Sequence, residues 1–457
     1  MRELRAALQD QLHMQVSPAL WEELAVRLLA RLCHLAEMTL WEKFNEERSP
    51  GVMLLAHLGE NGDGTGGPTR EYYTRFIQRH RRDGLASLVA EFPVLGRLIS
   101  TVTALWLDSA AEMLRRVDAD RAELSRTFDI PWHASLEHVQ QGLRDPHCGG
   151  RSVATLTFVD VGEVHRVVYK PKDLSVDAAY QNIIAYLNAA SDLPILQSLR
   201  VLPAKGYGYM EFVPHRVCTH ARELRQFYYN AGRHTAILYL LGCTDCHHEN
   251  LIANGDQWLL IDGETLFEAD FARPADQFTS IPADSPVGAL QRQIDDSVLH
   301  SGLLPMWLYF GTNKFATDLS ALGIAPPTQS VEEVSGWLGL NSDGMMPGLI
   351  EGPCKIPTSL PVGVGASNPL HVYVDGFCEG FKVQCAVLMR QRSELLGDSG
   401  PINALQGRQR RSLKRDTWIY YAIQNQLLAP EALRSELAQG MRLEQLGRAF
   451  LLADGAV

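Results

Sequence analysis

Cys243-Thr244-Asp245-Cys246-His247-His248-Glu249-Asn250 runs straight into two short apolar stretches, Asn250-Leu251-Ile252-Ala253 and Trp258-Leu259-Leu260-Ile261, and then Asp262. The stretches predict a β-hairpin turned by Asn254-Gly255-Asp256, residue types that accept the backbone of a tight turn. A loop feeding a hairpin brings Asn250 and Asp262 to neighbouring strand ends, where an amide oxygen and a carboxylate can reach one metal ion. The pattern is therefore Asp245-x-His247-x-x-Asn250 with Asp262 twelve residues further on. Phosphoryl transfer needs such a set: a carboxylate near the attacking hydroxyl, oxygen ligands for magnesium and a cation on the nucleotide phosphates. The same polar residues also suit a cap or a turn. Two more readings compete for the segment. Cys243-x-x-Cys246-His247 has the spacing of c-type haem attachment, and two thiolates with an imidazole make part of a zinc site. Haem attachment requires an exported, oxidised setting, and a structural zinc site requires a second Cys or His pair at suitable spacing. Neither accompanies this segment.

Upstream, Val153 to Phe158 and Val164 to Tyr169 read as two strands around Asp160-Val161-Gly162-Glu163. Lys170 ends the second strand in Val167-Val168-Tyr169-Lys170-Pro171-Lys172, about 75 residues before Asp245. A lysine at such a strand end is the clamp candidate, because from there a kinase lysine reaches nucleotide phosphates. Asp177 to Asn188 reads as a helix, and Lys205 to Val213 as a strand entering a connector. From residue 1 to about 140, apolar residues recur at helical spacing, as in Leu20, Leu24, Leu28 and Leu32. The glycine-rich Gly59-to-Pro68 loop in that region lacks a preceding strand and a following Lys-Ser/Thr, so it reads as a connection without chemistry. The organisation expected is a helical region over 1–140, a β-rich lobe over 141–215 and a mostly helical lobe over 216–457. Its class is α+β, and the order of the lobes is that of a two-lobed kinase-like fold, by analogy.

Two further sets have no place in an ordinary kinase. Asp145-Pro146-His147-Cys148-Gly149-Gly150-Arg151 precedes the first strand of the lobe, and an Asp beside a His suits proton transfer near neutral pH. Glycines and a structural histidine in a turn would give the same string. Far downstream, Arg408-Gln409-Arg410-Arg411-Ser412-Leu413-Lys414-Arg415-Asp416-Thr417 is dense in cations. Such a run is either a solvated helix face or a holder for a phosphorylated group.

The cationic run stands out because the chain is acidic: 42 Lys and Arg against 53 Asp and Glu give a net charge of −11 over 457 residues. That balance argues against nucleic acid as a partner and against a polybasic membrane binder. A hydrophobic fraction of 46% with 21% charged residues is that of a globular protein. Apolar runs such as Ala236 to Leu241 stop far short of the roughly 20 residues a spanning helix needs, so no transmembrane segment is expected. Met1-Arg2-Glu3-Leu4-Arg5 does not open a secretory signal, and 8 cysteines are too few for a disulfide scaffold. A cytoplasmic protein with reduced thiols is the expectation.

Taken in order, these strings resemble the dehydratase domain of class II, LanM-type lanthipeptide synthetases. The likeness is carried by Asp145-x-His147-x-Gly149-Gly150-Arg151, Tyr169-Lys170-Pro171-Lys172, Gly206-Tyr207-Gly208-Tyr209-x-Glu211-Phe212-Val213, Thr244-Asp245-x-His247-x-x-Asn250 and Leu260-Ile261-Asp262-x-Glu264-Thr265-Leu266-Phe267. Ser297 to Pro305, Asp318 to Gly323 and Arg411-x-Leu413-x-Arg415-x-Thr417 extend it. The resemblance implies a fold similar to lipid kinases and a two-step reaction on a ribosomal precursor peptide, leader plus core. ATP and Mg2+ serve phosphorylation of Ser and Thr; elimination of phosphate then leaves dehydroalanine or dehydrobutyrine. It assigns Lys170, Asp245, His247, Asn250 and Asp262 to phosphorylation, with Glu211 among the nucleotide-binding residues, and Asp145, His147, Arg411 and Thr417 to elimination. Family members usually continue into a zinc-dependent cyclase domain, so the expectation here is a fragment or shortened member, a possible separate cyclase, and missing last helices. Gly263 stands where the family often has a bulky apolar residue. Two alternatives remain: a small-molecule or lipid-type kinase, which leaves Asp145, His147, Arg411 and Thr417 unexplained, and a catalytically weak leader-peptide-binding module.

Overall fold

The computed structural model describes residues 2–9, 11–51, 69–141, 149–267, 285–309, 316–323, 331–353, 358–362, 370–408 and 417–444. Its largest sheet is antiparallel and five-stranded, in the order β1-β2-β3-β5-β4. The strands are β1 (Ser135–Gln141), β2 (Ala154–Asp160), β3 (Glu163–Lys170), β4 (Val201–Ala204) and β5 (Tyr207–Glu211). The predicted hairpin is β2–β3, in register from Ala154 opposite Tyr169 to Asp160 opposite Glu163. Val161 and Gly162 turn it with φ of 45° and 88°, the left-handed pair that matches the twist of the flanking strands.

Side chains alternate across this sheet. Leu156, Phe158, Val167, Tyr169 and Tyr209 bury one face against helices α1 (Pro18–Glu47) and α2 (Pro93–Ala119), through Leu20, Leu24, Trp106 and Leu114. The N-terminal helices and the sheet thus share one apolar core. The alternation leaves Val168, Lys170 and Met210 for the opposite face, the one that carries the candidate chemistry. β1 lies inside the stretch whose spacing reads as helical. A register shift between Leu136 and His138 breaks its two-residue alternation, which hides the strand in the sequence.

The second core gathers around helices α3 (Ser175–Ala189), α4 (Ala221–Leu240) and α5 (Leu370–Arg390), where Ile184, Phe227, Ile237, Trp258 and Val387 are buried together. The hairpin read at 250–261 is β6 (Leu251–Asn254) with β7 (Gln257–Leu260). Two further hairpins lie in the region read as mostly helical: β8 (Trp307–Tyr309) with β9 (Ala316–Asp318), and β10 (Val331–Leu338) with β11 (Met346–Pro353). The last is fastened to the N-terminal helices. Arg48 donates to the carbonyls of Asp343 and Met345 at 2.9 Å, and the Asp343 carboxylate accepts the amides of Glu71 and Tyr73. The architecture is α+β. Among the described residues, no helix is long and apolar enough to cross a membrane.

Helices α4 and α5 touch through backbone at two glycines. A Cβ on Gly232 would lie 1.9 Å from the Phe377 carbonyl oxygen, and one on Gly380 would lie 2.0 Å from that of Tyr229. Gly380→Ala must therefore push the helices apart, at a cost of about 3 kcal/mol or more. A lower urea midpoint is the expected result. Gly440→Ala, in a helical stretch where nothing lies within 4 Å, should not lower the midpoint and should raise it slightly.

Candidate active site

Three segments meet on the open face of the sheet. Lys170, buried at the end of β3, donates from Nζ to the Ile261 carbonyl just past β7. Lys172 follows one residue beyond Pro171, and its Nζ lies 2.5 Å from both Asp262 Oδ1 and Glu264 Oε1. Asp177, in the first turn of α3, accepts the Gly263 amide at 3.2 Å. Buried charges are tolerated here because they are matched. Burial alone would lower the Lys172 ammonium, but Asp262, Asp177 and Glu264 outweigh it and hold its pKa above the usual value. Burial pushes the Asp177 carboxyl up, and the two lysines oppose that rise.

Asn250 and Asp262 flank the β6–β7 hairpin, as the spacing predicted. The Ile261 amide donates to the Asn250 carbonyl at 2.9 Å, and the Asn250 side-chain amide donates to the Asp245 carbonyl at 2.7 Å. Asp245 is further fixed by its own amide, 3.2 Å from Thr265 Oγ1. His247 Nδ1 accepts the Glu249 amide at 3.2 Å, which leaves the proton of a neutral ring on Nε2. That nitrogen lies 3.6 Å from Asp245 Oδ1.

The two downstream motifs hold this loop. The Cys246 amide donates to Ser301 and the His248 amide to Leu319, while Ala321 and Leu322 donate to Gly302 and Leu303. Strings far apart in the chain therefore serve one loop. The thiols beside it settle the competing readings of the segment: Cys243 and Cys246 are 3% and 0% exposed and point into the apolar core, away from the partly exposed His247. Burial raises the Cys246 thiol well above its usual range, so it stays protonated. Both thiols are part of the packing of the second core. For magnesium, one carboxylate and one amide oxygen, with phosphate and water oxygens, would suit the preference for hard ligands, and Asn250 and Asp262, at the two ends of the hairpin, are the residues that would hold it.

Not every residue singled out in the sequence comes here. Glu211 pairs with Val167 across β3–β5, so alternation puts it on the face away from Lys170, where Arg200 holds its carboxylate. Asp145, His147 and Arg411 lie outside the described residues, and of Thr417 only the backbone, opening the helix Thr417–Leu427, is described. Arg408, the first cation of the basic run, lines a groove with Val176, Leu266, Phe267 and Leu405, beside the loop that carries Asp262. Sequence reasoning missed Lys172, Asp177 and Glu264. Two of these stood in the quoted strings, and Asp177 in the first turn after the lysine strand was the available signal.

A family described as a domain of unknown function (DUF4135) matches residues 92–455. The chain belongs to this family. The match begins at Phe92, the residue before α2, so it takes in that helix together with the sheet and the loop around Asp245. The chain is also 22% identical over 307 residues to the lacticin 481/lactococcin biosynthesis protein LcnDR2 of Lactococcus lactis subsp. lactis. That similarity covers 65% of this chain and 30% of the relative, so the chain spans about 30% of the length of the curated protein it matches. Together the two findings make this DUF4135 chain LanM-like.

Proposed function

We propose that this protein acts in lanthipeptide biosynthesis as a dehydratase, phosphorylating Ser and Thr of a precursor peptide with ATP and then eliminating phosphate. Its kinase-like reading is part of the proposal: a β-rich lobe with Lys170 at the end of β3, a helix acid at Asp177 and a metal-binding hairpin in a second lobe. Bound Mg2+ and ATP would supply the phosphoryl group and neutralise its charge. Lys170 and Lys172 hold phosphate oxygens, with Asp177 keeping both ammonium groups in place. Asp245 takes the proton of the substrate hydroxyl as its oxygen bonds to the γ-phosphorus and ADP leaves with the electrons of the P–O bond that breaks; His247 Nε2 stands 3.6 Å from that carboxylate. In the second step, Asp145 or His147 removes the α-proton, the C–O bond breaks, and phosphate leaves with the bonding electrons towards the cations that begin at Arg408.

The groove lined by Arg408, Val176, Leu266 and Phe267 carries this reading. It brings the start of the cationic run to the metal loop, so one bound peptide residue could meet both sets of groups. A cytoplasmic setting and a separate cyclase belong to the same proposal. The test is to incubate the protein with a co-encoded precursor, ATP and Mg2+ and weigh the peptide. Products lighter by one water per site are expected. Phosphopeptide alone would mark a kinase, and an unchanged mass would mark a binding module; either overturns the proposal.

A further inference from the structure

We propose that His248 and Asp318 are positioning residues for phosphoryl transfer, acting on Asp245 through His247; this rests on the function proposed above. Both lie outside the catalytic and metal sets. The His248 amide donates to the Leu319 carbonyl at 3.0 Å, and ring Nδ1 of His248 lies 2.9 Å from the same oxygen. A carbonyl only accepts, so Nδ1 carries a proton whatever the charge of the ring. One oxygen thereby fixes His248 by backbone and by side chain. The ring of His247 stands against it, edge to face, with centroids 5.7 Å apart. His247 is keyed in the opposite sense, because its own Nδ1 accepts the Glu249 amide, and its Nε2 is the nitrogen 3.6 Å from Asp245. The contacts therefore run without a gap from Leu319 to the carboxylate that takes the substrate proton.

Asp318, the last residue of β9, aims the Leu319 carbonyl. Its Oδ1 accepts the Ser320 amide at 3.0 Å, the Ser320 hydroxyl at 2.6 Å and the Met306 amide at 3.3 Å, which closes the turn on both sides of Leu319. Ser320 in turn forms an antiparallel bridge with His247. The Gly323 amide donates to the Ser320 carbonyl at 3.2 Å, and a Cβ on Gly323 would lie 2.9 Å from Asp318 Oδ2, so the turn closes tightly only over glycine. Ala321 and Leu322, both 0% exposed, anchor its far side in the core. The string from Asp318 to Gly323 is thus a strap, set 71 positions away from the ring that it holds. Phosphoryl transfer has a use for it. Asp245 is exposed, and an exposed carboxylate on a loop cannot rely on packing for its direction; the supporting residues have to supply it.

The experiment uses the full chain and two pairs of variants. An Asn side chain puts an N–H donor where Nδ1 of a histidine stands, whereas Gln reaches to the place of Nε2. His248→Gln should lower kcat of phosphorylation by about 10- to 100-fold, the scale of a small misplacement of reacting groups, with KM for ATP within about twofold. His248→Asn should recover most of that loss. Asp318→Ala should match His248→Gln, and Asp318→Asn, which keeps Oδ1 as an acceptor, should fall between it and the parent. Loss of phosphate from a synthetic phosphopeptide should stay within about twofold in all four, because the elimination proposed above uses other groups. Unchanged phosphorylation in His248→Gln, equal losses in His248→Gln and His248→Asn, or equal loss of both steps overturns the proposal. In the chain labelled with ¹⁵N-histidine, the ring signal that disappears in His248→Asn should show a protonated Nδ1, and that proton should exchange with water faster in Asp318→Ala. If the unaltered chain modifies no peptide, the functional reading is what fails; this signal then judges the strap alone, and a bare Nδ1 or unchanged exchange overturns it.

Discussion

Asp262→Asn is expected to stop ATP-dependent phosphorylation of the precursor, with a rate loss of roughly 10³-fold, the scale on which one transition-state charge contact acts in phosphoryl transfer. The substitution keeps the volume of a buried side chain and removes its charge. Asp262 is 6% exposed, so little water replaces what is lost. Lys172 keeps its Glu264 contact and the nearby Asp177 charge, so the ammonium is not stranded. The fold should therefore survive, with a thermal midpoint within a few degrees of the parent. Because phosphorylation precedes elimination, no dehydrated product and no phosphopeptide should form. A synthetic phosphopeptide should still lose phosphate, since the elimination proposed above uses other groups. Mass spectrometry of both substrates reads the two steps separately. Phosphopeptide formed at the parent rate would overturn the magnesium role proposed for Asp262.

How much of this was readable beforehand follows from where each interaction lies in the chain. The β6–β7 hairpin was legible because Asn254-Gly255-Asp256 turns adjacent apolar runs, and that alone brings Asn250 to Asp262. Lys170 was legible as a strand end. The matching of Lys172 to Asp262 and of Asp177 to Gly263 was not, because these contacts join positions 90 and 86 residues apart. No local period records such a pairing. The face of Glu211 was not legible for a related reason: it depends on pairing with Val167, and that register is set by the whole sheet rather than by the connector string. The cysteines mislead in the opposite way. Their spacing copies a ligand motif, while tertiary burial turns both thiols into core. Strands β10 and β11 escape notice because Gly336, Pro347 and Gly348 interrupt any apolar alternation, and much of their anchorage comes from Arg48 and Asp343.

Arg411→Ala should separate the two chemical steps by leaving phosphorylation near the parent rate and slowing elimination about 100-fold, so that phosphopeptide becomes the product. The expectation starts from Arg408, which lines the groove beside Leu266 and Phe267. Arg411 follows three residues later in the same cationic run. In an acidic protein of net charge −11, a run with five cations in eight residues from Arg408 to Arg415 is a local reversal of sign. A phosphate dianion leaving a peptide side chain gains from such a reversal, and charge-assisted contacts to a departing oxygen are worth about 1.5–3 kcal/mol. That range brackets the expected loss. The ground-state peptide, neutral at its hydroxyl, gains little from the same cation, which is why the first step should be spared. Thr417→Ala should act in the same direction with a smaller loss, about tenfold, since a hydroxyl offers one neutral donor. Arg411→Lys should fall between the parent and Arg411→Ala, because a point charge keeps the attraction and loses the planar fork. Dehydrated product from Arg411→Ala at the parent yield would remove this arginine from the elimination step.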